Sequence, residues 1–129
     1  TNVNTGIGGV FFKCNDPIKL KLWYHDNLGI ETDNYGTTFS FRNPINPHEI
    51  NYLQWSPMPD STDYFSPSPQ EYMINYRVSD LDNTIDNLKN NNVVILDSIE
   101  YTEYGRFVHV LGPEDIKIEL WEPPSIKKD

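Results

Sequence analysis

GPEDIKIELWEP, residues 112–123, is the stretch of sequence that says most about the fold. Gly112 to Asp115 predicts a tight turn, and the alternation of residue types over 116–121 predicts a strand directly after it. The strand ends in Trp121-Glu122-Pro123, and Trp55-Ser56-Pro57 has a similar pattern 66 residues earlier. The end of the sequence therefore resembles a stretch near its middle.

A second pair of segments indicates that the chain contains an internal repeat. Residues 12–16 resemble residues 76–80 at an offset of 64, close to the spacing of the two Trp-x-Pro motifs. Each copy reads as one strand, one helix and three further strands. Two landmarks in the same order at nearly the same offset predict two similar structural units.

The first unit contains a well-delimited helix. Asp16 before Pro17 is a favourable helix start, and Gly29 after Leu28 is a favourable left-handed end, which predicts a helix over 17–28. Its apolar positions predict an amphipathic helix with a stripe of Leu20, Trp23, Tyr24 and Leu28. The predicted strands of this unit are 8–14, 30–34, 36–42 and 50–56.

The second unit repeats this order. Residues 72–78 predict a strand, Ser79 with Asp82 predicts a helix start, and the Asn90-Asn91-Asn92 run predicts the end of that helix. The later strands are predicted at 93–99, 106–111 and 116–121. A Pro- and Ser-rich loop over 58–70 joins the two units, and we expect it to run over the surface.

Composition excludes several classes of protein. The chain has 129 residues, with 10 Lys and Arg against 19 Asp and Glu, so its net charge is −9. A chain this acidic, without a basic cluster, is not expected to bind nucleic acid. Cys14 is the only cysteine, which excludes an internal disulfide, and no apolar run is long enough to cross a membrane. We expect a cytoplasmic protein whose partner is a small molecule.

The repeat and its motifs resemble the vicinal oxygen chelate superfamily, the glyoxalase, bleomycin-resistance and extradiol dioxygenase group. Trp23-Tyr24 with Leu28-Gly29, the segment 76–81 and the segment 112–123 carry the resemblance. It implies an α+β fold in which two βαβββ modules curl around a cavity. It also implies a single domain over 1–129, with modules at 7–57 and 71–123.

Metal-dependent members of this superfamily place a His or Gln in the first strand of each module and a Glu in the last. By resemblance the first-strand positions fall on Gly9 and Met73, which are poor ligands for a hard divalent ion. The last-strand positions fall on Glu119 and on Leu53, or on Gln54 after a one-residue slip. We therefore predict that the usual metal is absent and leave the cofactor undefined, with a non-standard ligand set of His109, Glu119 and Gln54 as the alternative.

Charged and polar residues of the first strands are candidates for substrate binding. Strand alternation places Lys13 and Arg77 on the face that holds Phe11 and Asn75, which in the family lines the cavity. Glu119 is expected to join them. Two readings stay open: Lys13 and Arg77 bind a substrate carboxylate or enediolate, or they form a structural network with Glu119.

His109 and two tryptophans complete the candidate site. His109 precedes the last hairpin, near Glu119, and these two residues are the candidate catalytic pair; a packing histidine is the alternative. Trp55 and Trp121 hold equivalent repeat positions, as cavity walls or as packing at the module ends. If Lys13 and Arg77 form a substrate site, we expect an anionic ligand to bind between them.

The resemblance leaves two classes of function. The first is a glyoxalase-like enzyme, of lyase, isomerase or dioxygenase type, that acts on a small carbonyl or carboxylate compound. The second is a non-enzymatic protein of the bleomycin-resistance type that sequesters an antibiotic or another small molecule. We predict a homodimer, or at least a tightly joined pair of modules within one chain, because sheet edges left open in one module need covering.

Overall fold

The structure is a computed structural model that describes residues 4–124 of the chain. It has two α-helices, α1 (Pro17–Leu28) and α2 (Leu81–Asn90), and a short 3₁₀ turn at Pro113–Asp115. No helix within 4–124 is long and apolar enough to span a membrane. The strands are β1 (Asn4–Cys14), β2 (Thr37–Arg42), β3 (Ile50–Pro59), β4 (Tyr72–Val78), β5 (Val94–Ile95), β6 (Glu100–Thr102), β7 (Gly105–Leu111) and β8 (Lys117–Glu122).

The eight strands form one sheet in the order β2-β3-β1-β4-β8-β7-β5, with β6 paired to β7. Each module pairs its first strand in parallel with its last, β1 with β3 and β4 with β8. The two modules join through antiparallel pairing of β1 with β4. This arrangement confirms the predicted α+β class built from two modules, with two strands after the helix in the first module and four in the second.

The ends of the helices follow local chemistry. The Asp16 carboxylate accepts a hydrogen bond from the Lys19 amide, and Gly29 closes α1 at a φ of 68°, as predicted. The N-cap of α2 is Asp80, which accepts from the Asn83 amide; the predicted cap, Ser79, lies one residue too early.

The two helices differ in how they pack. α2 buries Leu81, Thr84 and Ile85, as its apolar periodicity predicts. No residue of α1 is buried, and Trp23 and Leu28 of its predicted stripe are 56% and 62% exposed. The predicted amphipathic packing of α1 is therefore wrong, because this helix contacts the sheet through few side chains.

Two predicted strands differ from those observed. Residues 30–34 form no strand, because Asp33 and Gly36 exchange backbone hydrogen bonds and close a turn there. The predicted strand over 93–99 is reduced to the two residues of β5, and β6, which was not predicted, follows it; both pair with β7. The strand before α1, by contrast, begins earlier than predicted and pairs with β4 from Asn4 onward.

The two faces of the sheet have different roles. The helix face carries the core: Val78, Val108, Val110 and Leu120 pack beneath Leu81 and Ile85 of α2. Side chains alternate along each strand, so the residues between these lie on the opposite face. We call that opposite face, which carries Asn75, His109 and Glu119, the site face.

Candidate functional site

Three neighbouring strands of the second module bring the polar groups of the site face together. Asn75 on β4 is the register partner of Glu119 on β8, and His109 on β7 is the partner of Glu119 on its other side. Adjacent strands lie about 4.8 Å apart, so the three side chains form a row. The sequence predicted that His109 and Glu119 lie near each other, and the register places them side by side.

Glu119 is the centre of this row and is only 3% exposed. Its Oε2 lies 2.7 Å from His109 Nε2 and accepts a 2.6 Å hydrogen bond from the Tyr64 hydroxyl. Its Oε1 accepts a 2.7 Å hydrogen bond from Asn75 Nδ2. A buried carboxylate needs such donors, and Glu119 takes them from three different parts of the chain.

His109 is held between two carboxylates. Its Nδ1 lies 2.6 Å from Asp97 Oδ2, and its backbone N–H donates to Asp97 Oδ1 at 2.7 Å. Carboxylate oxygens only accept, so the ring makes both of its side-chain bonds when both nitrogens are protonated. Burial opposes the charge, but the bonds to Glu119 and Asp97 outweigh it and raise the His109 pKa above its ordinary value.

The pKa of Glu119 shifts the opposite way. Burial alone would raise it, but hydrogen bonds from His109, Tyr64 and Asn75 lower the Glu119 pKa below its ordinary value. The pKa of Tyr64 is raised, chiefly by burial and then by the charge of Glu119. These shifts favour the ionised form of Glu119, the protonated form of His109 and the neutral form of Tyr64.

The inter-module loop covers this site, contrary to the prediction of a surface loop. Phe65 is fully buried and anchors the loop, whereas Tyr64 is 38% exposed. The Tyr64 ring lies between Phe11 and His109, with centroid distances of 6.0 and 5.8 Å. Lys117 Nζ donates a 2.6 Å hydrogen bond to the Tyr64 carbonyl and holds the loop in place.

Sequence reasoning missed Tyr64 as a site residue. The loop reads as Pro, Ser and Asp, and a surface role accounts for that composition. The adjacent pair Tyr64-Phe65 is the one signal that could have found it, because two aromatic residues in a polar loop need a surface to pack on.

Arg77 lies next along the site face and is 5% exposed. Its guanidinium carbon sits 5.3 Å from the Trp121 ring centre, and its Nη2 is 3.5 Å from Glu49 Oε1. Burial lowers the Arg77 pKa and the charge of Glu49 counters this. The partner of Arg77 is thus Glu49 from the β2–β3 loop, and the hydrogen-bond donors of Glu119 do not include Arg77.

Lys13 does not converge with Arg77. The Lys13 amide bonds to the Glu71 carbonyl at one end of β4, and Arg77 pairs with Gly6 at the other. Six residues of strand separate these points, about 20 Å. Lys13 Nζ instead lies 5.9 Å from the centre of the Phe65 ring. A small anion cannot bridge Lys13 and Arg77, because antiparallel pairing carries equivalent positions of β1 and β4 to opposite ends.

The two tryptophans lie on opposite faces, so they are not equivalent walls. Trp55 packs on the helix face, 5.0 Å from the Tyr24 ring of α1 and 5.5 Å from Phe12. Trp121 lies on the site face and stacks on Phe107 at 5.9 Å with an interplanar angle of 6°. Trp55 is therefore not part of the candidate site, whereas Phe11 and Trp121 are.

The side chains on the site face do not fit the metal of the superfamily. Gly9 pairs in register with Gln54, so Gln54 and not Leu53 shares the face of Glu119. The Gln54 amide is engaged with Thr38, Ser56 and the Tyr35 carbonyl. Within residues 4–124, no three His, Cys, Asp or Glu side chains are grouped as metal ligands. We derive no step through a metal.

Comparisons with known proteins agree with this architecture. The methylmalonyl-CoA epimerase from Mycobacterium tuberculosis matches with 20% identity and a TM-score of 0.62, over 97% of this chain and 92% of that one. A variant of the Streptomyces coelicolor enzyme, in complex with 2-nitronate-propionyl-CoA, matches with 13% identity and a TM-score of 0.66 over 95% and 99%. This chain has the vicinal oxygen chelate fold.

Other matches show why that fold alone does not define an activity. An NAD-dependent benzaldehyde dehydrogenase from Legionella pneumophila matches with 12% identity and a TM-score of 0.55, over 90% of this chain and 98% of that one. No protein-family model and no curated protein matches the sequence. A vicinal oxygen chelate fold hosts many chemistries, so function has to be argued from the site.

Proposed function

We propose that this protein is a glyoxalase-like enzyme that moves a proton at a carbon beside the carbonyl of a small molecule. One observation carries the proposal: the buried Glu119 carboxylate bonds to His109, whose other nitrogen bonds to Asp97. An ordered carboxylate backed by a charged imidazole can accept and return a proton. Five of the solved neighbours are complexes with CoA derivatives, which supports acyl thioesters as first compounds to test.

Tyr64 controls the basicity of Glu119 in this proposal. While its hydroxyl donates to Oε2, it stabilises the charged carboxylate and weakens it as a base. A substrate that displaces the Tyr64 side chain removes one of three donors, and the Glu119 pKa then rises. The anchored Phe65 lets the ring of Tyr64 swing out while the loop backbone stays in place.

The chemical step needs no further co-reactant. The C–H bond beside the substrate carbonyl breaks, its proton passes to Glu119 Oε2, and the electron pair moves onto the carbonyl oxygen. Asn75, which bonds to the other oxygen, keeps the carboxylate oriented. Return of the proton to the same face of that carbon restores the substrate, whereas delivery of a proton from solvent to the opposite face completes an epimerisation, and the product carries the same atoms as the substrate.

Deuterium exchange tests this proposal without knowledge of the true substrate. Propionyl-CoA, methylmalonyl-CoA, pyruvate and 2-oxobutyrate are incubated with the protein in D₂O, and loss of the α-proton signal is followed by NMR. We expect exchange above the buffer rate for at least one compound, and its loss in Glu119→Gln. Glu103→Gln, an exposed residue, is the matched control. Equal exchange in Glu119→Gln and the unaltered protein would rule out the proposed base.

A second candidate function is supported by the aromatic lining. The Tyr64 ring sits between Phe11 and His109, so the site face already accommodates one flat aromatic group. A non-enzymatic protein that sequesters an aromatic compound, such as an antibiotic, would bind it where Tyr64 now lies. Tight binding of bleomycin in calorimetry, with no deuterium exchange in any compound, would favour this function over the first.

A homodimer is the proposed assembly. Module one exposes large apolar side chains on α1 and β2, among them Leu22 at 56%, Leu28 at 62% and Phe41 at 54%. Apolar patches on a protein surface are typical of contact sites, and we propose that these side chains contribute to one. Light scattering at micromolar concentration should give twice the 15.0 kDa chain mass, and a single species at the chain mass would exclude the dimer. A cytoplasmic location stays a prediction.

A further inference from the structure

Arg77 has an unusual hydrogen-bond state for a buried guanidinium. Its side chain is 7% exposed, its buried Nε has no hydrogen-bond partner among residues 4–124, and its Nη2 is 3.5 Å from Glu49 Oε1. A distance of 3.5 Å is beyond that of a charge-assisted hydrogen bond. Burying a charge with this little compensation is costly, so the edge formed by Nε and Nη2 has unused binding capacity.

Another arginine of the same chain, Arg106, forms a fully hydrogen-bonded ion pair with a carboxylate. Arg106 donates from Nε to Glu122 Oε2 and from Nη2 to Glu122 Oε1, both at 2.9 Å. This is the parallel two-bond geometry that a guanidinium makes with a carboxylate. Arg106 uses the same Nε and Nη2 edge that Arg77 leaves largely unpaired.

Glu49 is held loosely enough to be displaced. Its Oε2 accepts only a 3.2 Å hydrogen bond from the Asn43 side-chain amide, and its side chain is 27% exposed. The carboxylate lies on the β2–β3 loop, which closes on itself through backbone bonds between Asn43, Asn46 and Glu49. Movement of the Glu49 side chain into solvent breaks no backbone hydrogen bond of the sheet.

We propose that the Nε–Nη2 edge of Arg77 is a carboxylate-binding subsite, and that Glu49 occupies it until a ligand carboxylate takes its place. The inference rests on the proposed function only in placing the ligand, and it names the substrate class: small compounds that carry a carboxylate besides the reactive carbonyl. Arg77 pairs with Trp121, two residues beyond Glu119 on β8. That offset places the Cα atoms of Arg77 and Glu119 about 8 Å apart. A short dicarboxylate, or an acyl compound with one free carboxylate, is long enough to span this distance.

Two neighbours shape this subsite. The Trp121 ring supports the guanidinium plane, so a ligand meets a rigid donor edge. Asn75 Oδ1 is buried, finds no hydrogen-bond partner in the described part of the chain, and offers an acceptor to a hydroxyl or amide of the ligand. Gly8 permits this arrangement, because a Cβ there would lie 2.5 Å from Asn75 Oδ1 and 2.6 Å from the Trp121 ring.

Calorimetry with malonate at constant ionic strength tests the subsite directly, with malonamide as the neutral analogue. Because Glu49 competes with the ligand, we expect Glu49→Gln to bind malonate about tenfold more tightly than the unaltered protein. Arg77→Gln should bind it about tenfold more weakly or not at all. Lys13→Gln removes a cation about 20 Å away, so it should leave the affinity unchanged.

Removal of the buried Arg77 side chain can itself destabilise the protein, so Glu49→Gln, on an exposed loop, carries the decisive comparison. Malonate binding that is no tighter in Glu49→Gln, or that is matched by malonamide, would overturn the inference. So would an equal loss of binding in Lys13→Gln. The readout is separate from catalysis. Malonate binding through Arg77 without deuterium exchange would support the subsite and contradict the proposed enzymatic function. Deuterium exchange without malonate binding would support the enzymatic function and contradict the subsite.

Discussion

Replacing His109 with glutamine tests whether the row on the site face is an ionic network. The change removes the charged donor 2.7 Å from Glu119 Oε2 and leaves a carboxylate that is 3% exposed without its cation. Breaking a buried ion pair from one side costs about 3–5 kcal/mol. Tyr64 and Asn75 still donate to Glu119, so we expect the lower end, about 3 kcal/mol less free energy of unfolding.

The contribution of the His109–Glu119 pair to the free energy of unfolding depends on pH. The His109 pKa is raised above 6.5 in the folded protein, so its contribution is complete below pH 6.5 and is lost as pH rises through the raised value. The Glu119 pKa is lowered below 4.5, so its contribution is present above pH 4.5 and is lost as pH falls through the lowered value. The pair therefore stabilises the fold most between these two pH values.

Urea denaturation across this range provides the assay. We expect the difference between the unaltered protein and His109→Gln to be largest near pH 5.5–6.5 and to shrink as pH rises above it. His25→Gln is the control, because the His25 side chain is 50% exposed, and the midpoint of this variant should not move. A loss below about 1 kcal/mol for His109→Gln, or one independent of pH, would show that no buried ion pair is present.

Three further substitutions probe the cover, the core and the close approach of strands. Tyr64→Phe keeps the ring but removes the hydroxyl, so the Glu119 pKa should rise, measured by NMR of its carboxyl carbon, and unfolding should need about 1.5 kcal/mol less; an unchanged pKa would contradict the contact. Leu81→Ala leaves a cavity at a fully buried position of the core and should lower the free energy of unfolding by about 2–5 kcal/mol in denaturant titrations. A loss near zero would contradict the packing of α2 on the sheet. Gly8→Ala puts a Cβ 2.5 Å from the nearest side-chain atom and should cost about 1–3 kcal/mol in thermal melts; unchanged melting would show that the strands have room to adjust.

Local sequence chemistry was enough to predict both helices and most of the strands. Asp16 and Gly29 mark both ends of α1, and alternation of residue types locates β4, β7 and β8 to within a residue. These patterns arise between residues close in sequence, so they can be recognised without knowledge of the fold. The repeat then predicted two modules, because each copy presents the same order of elements.

Cross-strand register was beyond the reach of the sequence. Lys13 and Arg77 occupy equivalent repeat positions, yet antiparallel pairing of β1 with β4 separates them. Trp55 and Trp121 end similar motifs, but Trp55 lies two residues before the partner of Phe12 and Trp121 one residue after the partner of the equivalent Tyr76, so the two rings lie on opposite faces. A sequence repeat shows which residues hold equivalent positions in the two modules. Only the pairing of the strands determines which of these residues are in contact.

By itself, the sequence determined the α+β class, the two modules, the helix ends and the nearness of His109 to Glu119. The tertiary structure decided which groups complete the site: Tyr64 reaches Glu119 across 55 residues of chain and Glu49 reaches Arg77 from a distant loop. Contacts of that kind depend on how a loop packs back onto the sheet. That packing is governed by the shape of the whole fold and leaves no periodic pattern in the residues that make it.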